Sequence, residues 1–180
     1  MDFGKTVETV RVARVDSPIG ALRLASTSVG LAFLELPHSN GGGLASWLRR
    51  WAPGAHVEDG FAPNRAAAKQ LLEYLDGKRS RFELALDLRG TAFQLAVWHA
   101  LCAIPYGETI SYAEQARRVG RPHAARAVGA ANGANPIAIV VPCHRVVNVD
   151  GKLGGYGGGL PLKKRLLALE HAQPRQGDLL

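Results

Sequence analysis

The stretch Ser111–Ala131, SYAEQARRVGRPHAARAVGAA, reads as two short helices around a turn. Ser111 to Val119 makes the first helix. Gly120-Arg121-Pro122 is turn chemistry, because glycine tolerates positive φ and proline presets its own. His123 to Ala131 then resumes as a helix rich in alanine, a strong helix former. Two helices joined this way make a helix-turn-helix. The second helix presents Ala124, Ala125, Ala127, Gly129, Ala130 and Ala131, with Arg126 as the one long side chain in its middle. An alanine-rich packing helix with a solvent-facing arginine fits the same composition.

Working outward, Phe93, Val97, Leu101 and Ile104 recur at helical spacing with Thr91 as N-cap, and Pro105-Tyr106-Gly107 ends that helix. A last helix starts at Pro161, a favoured first-turn position, runs through Leu162, Leu166 and Leu169, and stops before Pro174. The first half has a different character. Val10 to Val15, Ala21 to Ala25 and Leu31 to Leu36 read as three strands of a small meander, with Asp16-Ser17-Pro18-Ile19-Gly20 as the first turn. Helices are predicted at Leu44 to Trp51 and at Arg65 to Leu75, the latter started by Asn64 and stopped by Gly77. Phe82 to Leu88 alternates again and is expected to return to the sheet. The pattern breaks between Gly77 and Thr91. The expectation is therefore an α+β chain of two domains: an α/β domain over residues 1–88, a mainly helical domain over 91–173, and a loose tail over 174–180.

Charge separates the halves further. The net charge is +7, and five of those charges come from Thr91 to Gln173, which holds nine basic and four acidic residues. Such a basic face attracts a polyanion, nucleic acid being the commonest, although a merely solvated surface has the same composition. The longest useful apolar run, Ile137 to Val141, is far below the roughly 18 residues of a membrane-spanning helix. Met1-Asp2-Phe3-Gly4-Lys5 is not a basic region leading into an apolar one, so no secretory signal is expected. Two cysteines far apart, Cys102 and Cys143, argue against a disulfide framework and for a reducing, cytoplasmic setting. No metal site is expected, because the cysteines do not pair closely and the six histidines do not cluster at ligand spacing.

The segment with most chemistry is Asn135-Pro136-Ile137-Ala138-Ile139-Val140-Val141-Pro142-Cys143-His144-Arg145-Val146. An apolar run bounded by two prolines delivers a cysteine at its end, and Val141 before Pro142 is biased to extended geometry. Basic or proton-accepting groups beside a thiol raise its thiolate fraction, and thiolate is the reactive form. The bland reading is a small buried hydrophobe. Sequence neighbours in an extended loop also point in different directions, so Cys143 and His144 need not touch.

Pro142-Cys143-His144-Arg145-Val146 resembles the acceptor-cysteine motif of the methylated-DNA–protein-cysteine methyltransferases, the O6-alkylguanine-DNA alkyltransferases. The likeness continues through Phe93-Gln94, Val97-Trp98, Ile104 to Thr109, Ser111-Tyr112, Ala124 to Ala130, Asn135-Pro136, Asp150-Gly151, Gly154-Gly155-Tyr156 and Leu166-Leu167 with Glu170. This ordered set spans almost everything from Phe93 to Glu170. The first half matches only loosely, at Ser17-Pro18-Ile19-Gly20 and in overall length.

The resemblance implies a ribonuclease-H-like first domain and a winged helix-turn-helix in the second. It implies single, irreversible transfer of an alkyl group from O6 of a flipped guanine to Cys143. His144 would relay the thiol proton, through water, to Glu170; Tyr112 would donate to the departing base; Asn135 would brace the loop. Arg126 would fill the gap left by the flipped nucleotide. Arg121, Ala125, Ala127, Gly129, Ala130 and Gly133 would join it and Tyr112 against the minor groove of double-stranded DNA, where small residues permit close, sequence-independent approach. Val146, Tyr156, Gly157 and Gly158 would form the base pocket, the glycines letting backbone N–H groups approach O6. Some relatives carry serine at Gly157, a leucine is common at Gln115, and some have proline at Ala138; neither of the last two is expected to touch the chemistry. Some relatives carry zinc in the first half, but this chain has no cysteine before Cys102, so no zinc and no cofactor are expected. A monomer is expected. Three rivals stand beside this reading: an alkyltransferase-like protein that only flags lesions, a Cys-His-Glu hydrolase, and a DNA-binding regulator that senses through Cys143.

Overall fold

The computed structural model describes residues 7–37 and 42–171, and the backbone of 173–174. The chain start and Arg175 to Leu180, expected as a loose tail, lie outside the described residues. The first half opens with strands β1 (Thr9–Ser17), β2 (Gly20–Ser26) and β3 (Leu31–Glu35), each antiparallel to the next. Helix α1 (Gly43–Trp51) follows. Then comes β4 (His56–Asp59), which lies parallel to β1 and gives the strand order β3-β2-β1-β4. A 3₁₀ turn, Ala62–Asn64, leads into α2 (Arg65–Leu75).

Alternation along the strands sends apolar side chains to both faces. Val10, Val12 and Ala32 pack with Leu44 and Trp47 of α1. Val15, Leu22, Leu24 and Leu34 face the other way, onto Ala68, Leu71 and Tyr74 of α2. That second cluster continues without a break into Val97, Trp98, Leu101, Ile110, Val141 and Leu166 of the second half. The chain is thus a mixed α+β fold in which the two halves share buried apolar surface.

Helix α3 (Ala92–Cys102) begins at a capping box, Thr91 accepting from the Gln94 amide while the Gln94 side chain accepts from that of Thr91. Strand β5 (Glu108–Ser111) runs into α4 (Tyr112–Arg118), whose N-cap Ser111 accepts from Glu114 N–H at 3.0 Å. Helix α5 (Ala125–Gly133) packs on α3 and α4. Trp98 ties α3 to α5 by donating to the Ala131 carbonyl at 2.9 Å. A 3₁₀ turn at Cys143–Arg145 precedes β6 (Val146–Val147), and α6 (Leu160–Leu169) carries Pro161 in its first turn. The chain then reaches β7 (Gln173–Pro174), and β6 and β7 flank β5 in parallel.

Four sequence expectations shift. Residues 82–88 form no strand; Leu86 makes a single bridge to Leu31, and the segment follows β3 through Leu31 N–H to the Ala85 carbonyl and Asp87 N–H to the Leu31 carbonyl. β4 was not foreseen. α5 begins two residues after His123, because Ala124 N–H closes a turn onto the Arg121 carbonyl at 2.8 Å. Pro174, assigned to the tail, pairs beside Thr109. No described helix is long and apolar enough to cross a membrane.

Candidate active site around Cys143

The loop before Cys143 is tightly specified. Ile137, Ile139 and Val141 are fully buried, Val141 N–H donates to the Ile137 carbonyl at 2.9 Å, and β3 holds the loop through Leu34 N–H to the Pro136 carbonyl at 2.8 Å. Ile139 sits at φ 77°, a strained conformation for a β-branched residue that only a well-packed surround sustains. Asn135 pins both ends of the loop. Its Oδ1 accepts from Ile137 N–H at 3.0 Å, and its Nδ2 donates to the Val141 carbonyl at 2.7 Å and to Cys143 Sγ at 3.2 Å.

Cys143 is only 6% exposed, yet it lines a cavity of about 690 Å³. Tyr112, Ala125, Arg126, Gly129, Gly133, Tyr156 and Gly157 share that lining. Burial pushes the thiol pKa up, while the Asn135 hydrogen bond and the Lys163 charge pull it down. A second cavity, of about 270 Å³, also touches Cys143 and is bordered by Trp47, Asn135, Ala138, Gly157 and Gly158.

The residues that follow the thiol enter a buried polar cluster. His144 is fully buried, and its Nε2 meets Glu170 Oε1 at 2.9 Å. Glu170, the C-cap of α6, is 2% exposed. Its oxygens also accept from Arg145 Nε and Nη2, both at 3.0 Å, from Gly107 N–H at 3.2 Å and from the Tyr74 hydroxyl at 2.5 Å. Burial works against the charge of Glu170, but the hydrogen bonds from His144 and Arg145 outweigh it and hold the carboxyl down at about 2. An ionised carboxylate only accepts, so the proton on neutral His144 belongs on Nε2. Its Nδ1 is buried with no hydrogen-bond partner among the described residues. Burial lowers the imidazole pKa, opposed by Glu170. The pair therefore offers a neutral base with an open nitrogen.

Tyr112 opens α4, is half-buried, and reaches the Gly155 carbonyl at 3.4 Å through its hydroxyl. Burial, then the nearby Cys143, pushes its pKa up, so the phenol stays a donor. Gly154 makes room for the ring: a Cβ there would lie 2.9 Å from Tyr112 Cε2, and its φ of +65° also favours glycine. The Tyr156 hydroxyl is buried without a hydrogen-bond partner among the described residues.

Arg126 is exposed at the cavity rim, and Ala125, Gly129 and Gly133 line the cavity with it. Ala127, Ala130 and Arg121 are exposed outside its lining. Two base-pocket expectations change. The Val146 side chain belongs to the core, only its carbonyl facing Lys163, and Gly158 borders the smaller cavity. Gln115, expected not to touch the chemistry, is buried and exchanges hydrogen bonds with Asn132, which lines both cavities. Cys102 is exposed at the end of α3 and borders a separate hollow.

Sequence reasoning missed Lys163 and Tyr74. Lys163 counted only as a positive charge, but it is fully buried and donates to the carbonyls of Val146 at 2.6 Å, Leu153, and Gly155 at 3.2 Å. Burial lowers its pKa to about 8, against the pull of Cys143. Its spacing was the available signal, since Lys163, Leu166 and Glu170 fall on one helical face. Among the described residues no group of three or more His, Cys, Asp or Glu gathers as a metal site.

A family model described as "6-O-methylguanine DNA methyltransferase, DNA binding domain" matches residues 92–172. A methylated-DNA–protein-cysteine methyltransferase of Mycobacterium bovis is 48% identical over 162 residues, covering 88% of this chain and 91% of the relative. An inducible one of Bacillus subtilis is 44% identical, covering 87% of each. Among solved structures, Mycobacterium tuberculosis OGT in complex with DNA superposes with a TM-score of 0.78 at 46% identity, covering 95% of this chain and 98% of that one. With identity this high over nearly the whole length, the chain belongs to the methylated-DNA–protein-cysteine methyltransferase family.

Proposed function

We propose that this protein repairs DNA by moving an alkyl group from O6 of guanine onto Cys143, once per molecule. The observation that carries this is a nearly buried thiol at the wall of a cavity of about 690 Å³, followed in the chain by the buried His144 that pairs with Glu170. Pockets that enclose small ligands span a similar range, about 300–1,000 Å³.

In this reading α4 and α5 form a helix-turn-helix, winged by the β5–β6 region, that presents small residues and Arg126 to the minor groove. Residues 91–173 carry DNA binding and acceptor chemistry. Residues 1–88 are a ribonuclease-H-like supporting unit. O6 is inaccessible to a buried sulfur inside a stacked duplex, so the nucleotide swings out into the cavity, and Arg126 takes its place. Nδ1 of His144 accepts the thiol proton through a bridging water. The Cys143 sulfur then attacks the alkyl carbon in line with the C–O6 bond, which breaks as the C–S bond forms. The Tyr112 hydroxyl supplies a proton to the departing base, which leaves as neutral guanine, and solvent reprotonates the phenol. One proton leaves the thiol and one arrives on guanine. The balance is redox-neutral and calls for no cofactor.

The thioether is inert to ordinary cell chemistry, so each molecule reacts once. The protein acts as a cytoplasmic monomer. Intact-mass measurement after mixing with excess duplex holding one O6-methylguanine tests this: the expected result is one added methyl per chain and no further dealkylation. Lesion binding without mass gain would leave the lesion-flagging reading instead.

A further inference from the structure

Tyr74 belongs to α2, in the half of the chain expected only to support, yet its hydroxyl lies inside the proton-handling cluster. It is fully buried, with its ring set against Phe82 at 5.2 Å and edge-on to Tyr106 at 6.2 Å between centroids. The phenol has one hydrogen. At 2.5 Å the phenol donates that hydrogen to Glu170 Oε1, as expected for a hydroxyl on a carboxylate. The Tyr74 oxygen also stands 3.3 Å from His144 Nε2, where its lone pairs face the ring N–H. We propose that Tyr74 is a positioning residue for alkyl transfer: its hydroxyl, shared between Glu170 and His144, fixes the imidazole with its proton on Nε2 and its open Nδ1 towards the thiol side. This rests on the transfer reading above.

A second consequence concerns basicity. Glu170 Oε1 accepts from Tyr74, His144 and Arg145 together, so its charge is divided among them. The other titratable groups around the cluster are Arg145, Tyr106, Lys163, Cys143 and Tyr156. Removing the phenol hydroxyl leaves the carboxylate less neutralised. It then grips His144 N–H harder, and the imidazole keeps a second proton to higher pH. Losing the phenol oxygen from Nε2 acts the other way. That contact is 3.3 Å against 2.5 Å for the charge-assisted bond, so the Glu170 route dominates. Tyr74 thus keeps His144 neutral, and able to accept a proton, further into the acid range.

The test is the single-turnover transfer rate from O6-methylguanine duplex from pH 8.5 down to pH 4.5, for the full chain and for Tyr74→Phe. Phenylalanine keeps the ring packing. The acid limb of the variant is expected to move up by about half to one pH unit, so at a pH below both limbs its rate, relative to its own plateau, falls about three- to tenfold under the parent. A uniform fall at every pH, or an unchanged profile, overturns the proposal. Nitrogen-15 spectra of His144 in the unreacted protein give an independent reading, with Nε2 protonated, Nδ1 bare, and a higher pKa in Tyr74→Phe. An Nδ1–H tautomer in the parent overturns the proposal whether or not the variant folds. Absence of transfer by the parent would sink the transfer reading alone, leaving the spectra to judge Tyr74.

Discussion

Cys143 stands between two environments built on opposite terms. On the His144 side the hydrogen bonds are dense, and His144, Arg145, Tyr74 and Gly107 close around the Glu170 carboxylate. On the cavity side Tyr112 has one long hydrogen bond, Arg126 is exposed, and glycines at 129, 133, 155 and 157 leave space where side chains would stand. A buried ionic network stays stable only when every member is satisfied, so the sealed side tolerates almost no change. The open side derives its use from shape, and shape degrades gradually. Substitutions on the two sides should therefore differ in kind: loss of folding free energy behind the thiol, loss of DNA-dependent rate in front of it.

The largest effect is expected from Glu170→Gln. It leaves the Arg145 guanidinium buried without its counter-charge and is expected to cost about 3–5 kcal/mol in urea denaturation, with transfer slowed at least a hundredfold. The pH dependence follows. With a folded pKa of about 2 against about 4.3 unfolded, the Glu170 contribution is fully present above the unfolded value and disappears as pH falls through about 2. The parent should lose about 3 kcal/mol across that window that Glu170→Gln does not lose. Equal acid slopes for the two proteins would break the contrast between the sides.

Lys163→Met removes one donor from three carbonyls and is expected to destabilise by about 1–3 kcal/mol. Amides of Leu153 to Gly157 should exchange faster, and transfer should slow about tenfold. Unchanged exchange there would mean that the ammonium does not hold the cavity wall. For Arg126→Ala no measurable stability change is expected, since the side chain is exposed. Transfer from duplex should fall about tenfold while reaction with free O6-methylguanine base stays the same, because only the duplex must be opened. Gly157→Ser should do least, under about threefold, since a Cβ there meets only the Gly133 carbonyl oxygen at 4.0 Å.

The same contrast explains what could be read from sequence. Elements with local signals were legible: alternation in β1 to β3, Thr91 at the head of α3, Ser111 at the head of α4, and Pro161 in the first turn of α6. β4 was not, because an edge strand with Val57 as its one apolar residue carries no alternation. Residues 82–88 do alternate, but the segment meets β3 through one bridge, and no local feature distinguishes that from a paired strand. Cys143, Tyr112 and Arg126 were singled out through family resemblance, each with a bland reading beside it. Glu170 was reachable through family resemblance, and without it a helix-end carboxylate looks solvated. Tyr74 was beyond reach, because its meaning lies in contacts 70 and 96 residues away that only the packed core creates.

The two cysteines offer the most direct test of the account. After reaction with O6-methylguanine duplex, peptide mass analysis should find the methyl group on the fragment holding Cys143 and none on Cys102. Cys143→Ala should take up nothing and Cys102→Ala should react at the parental rate. A methyl group on Cys102, or transfer that survives Cys143→Ala and vanishes in Cys102→Ala, would contradict the account.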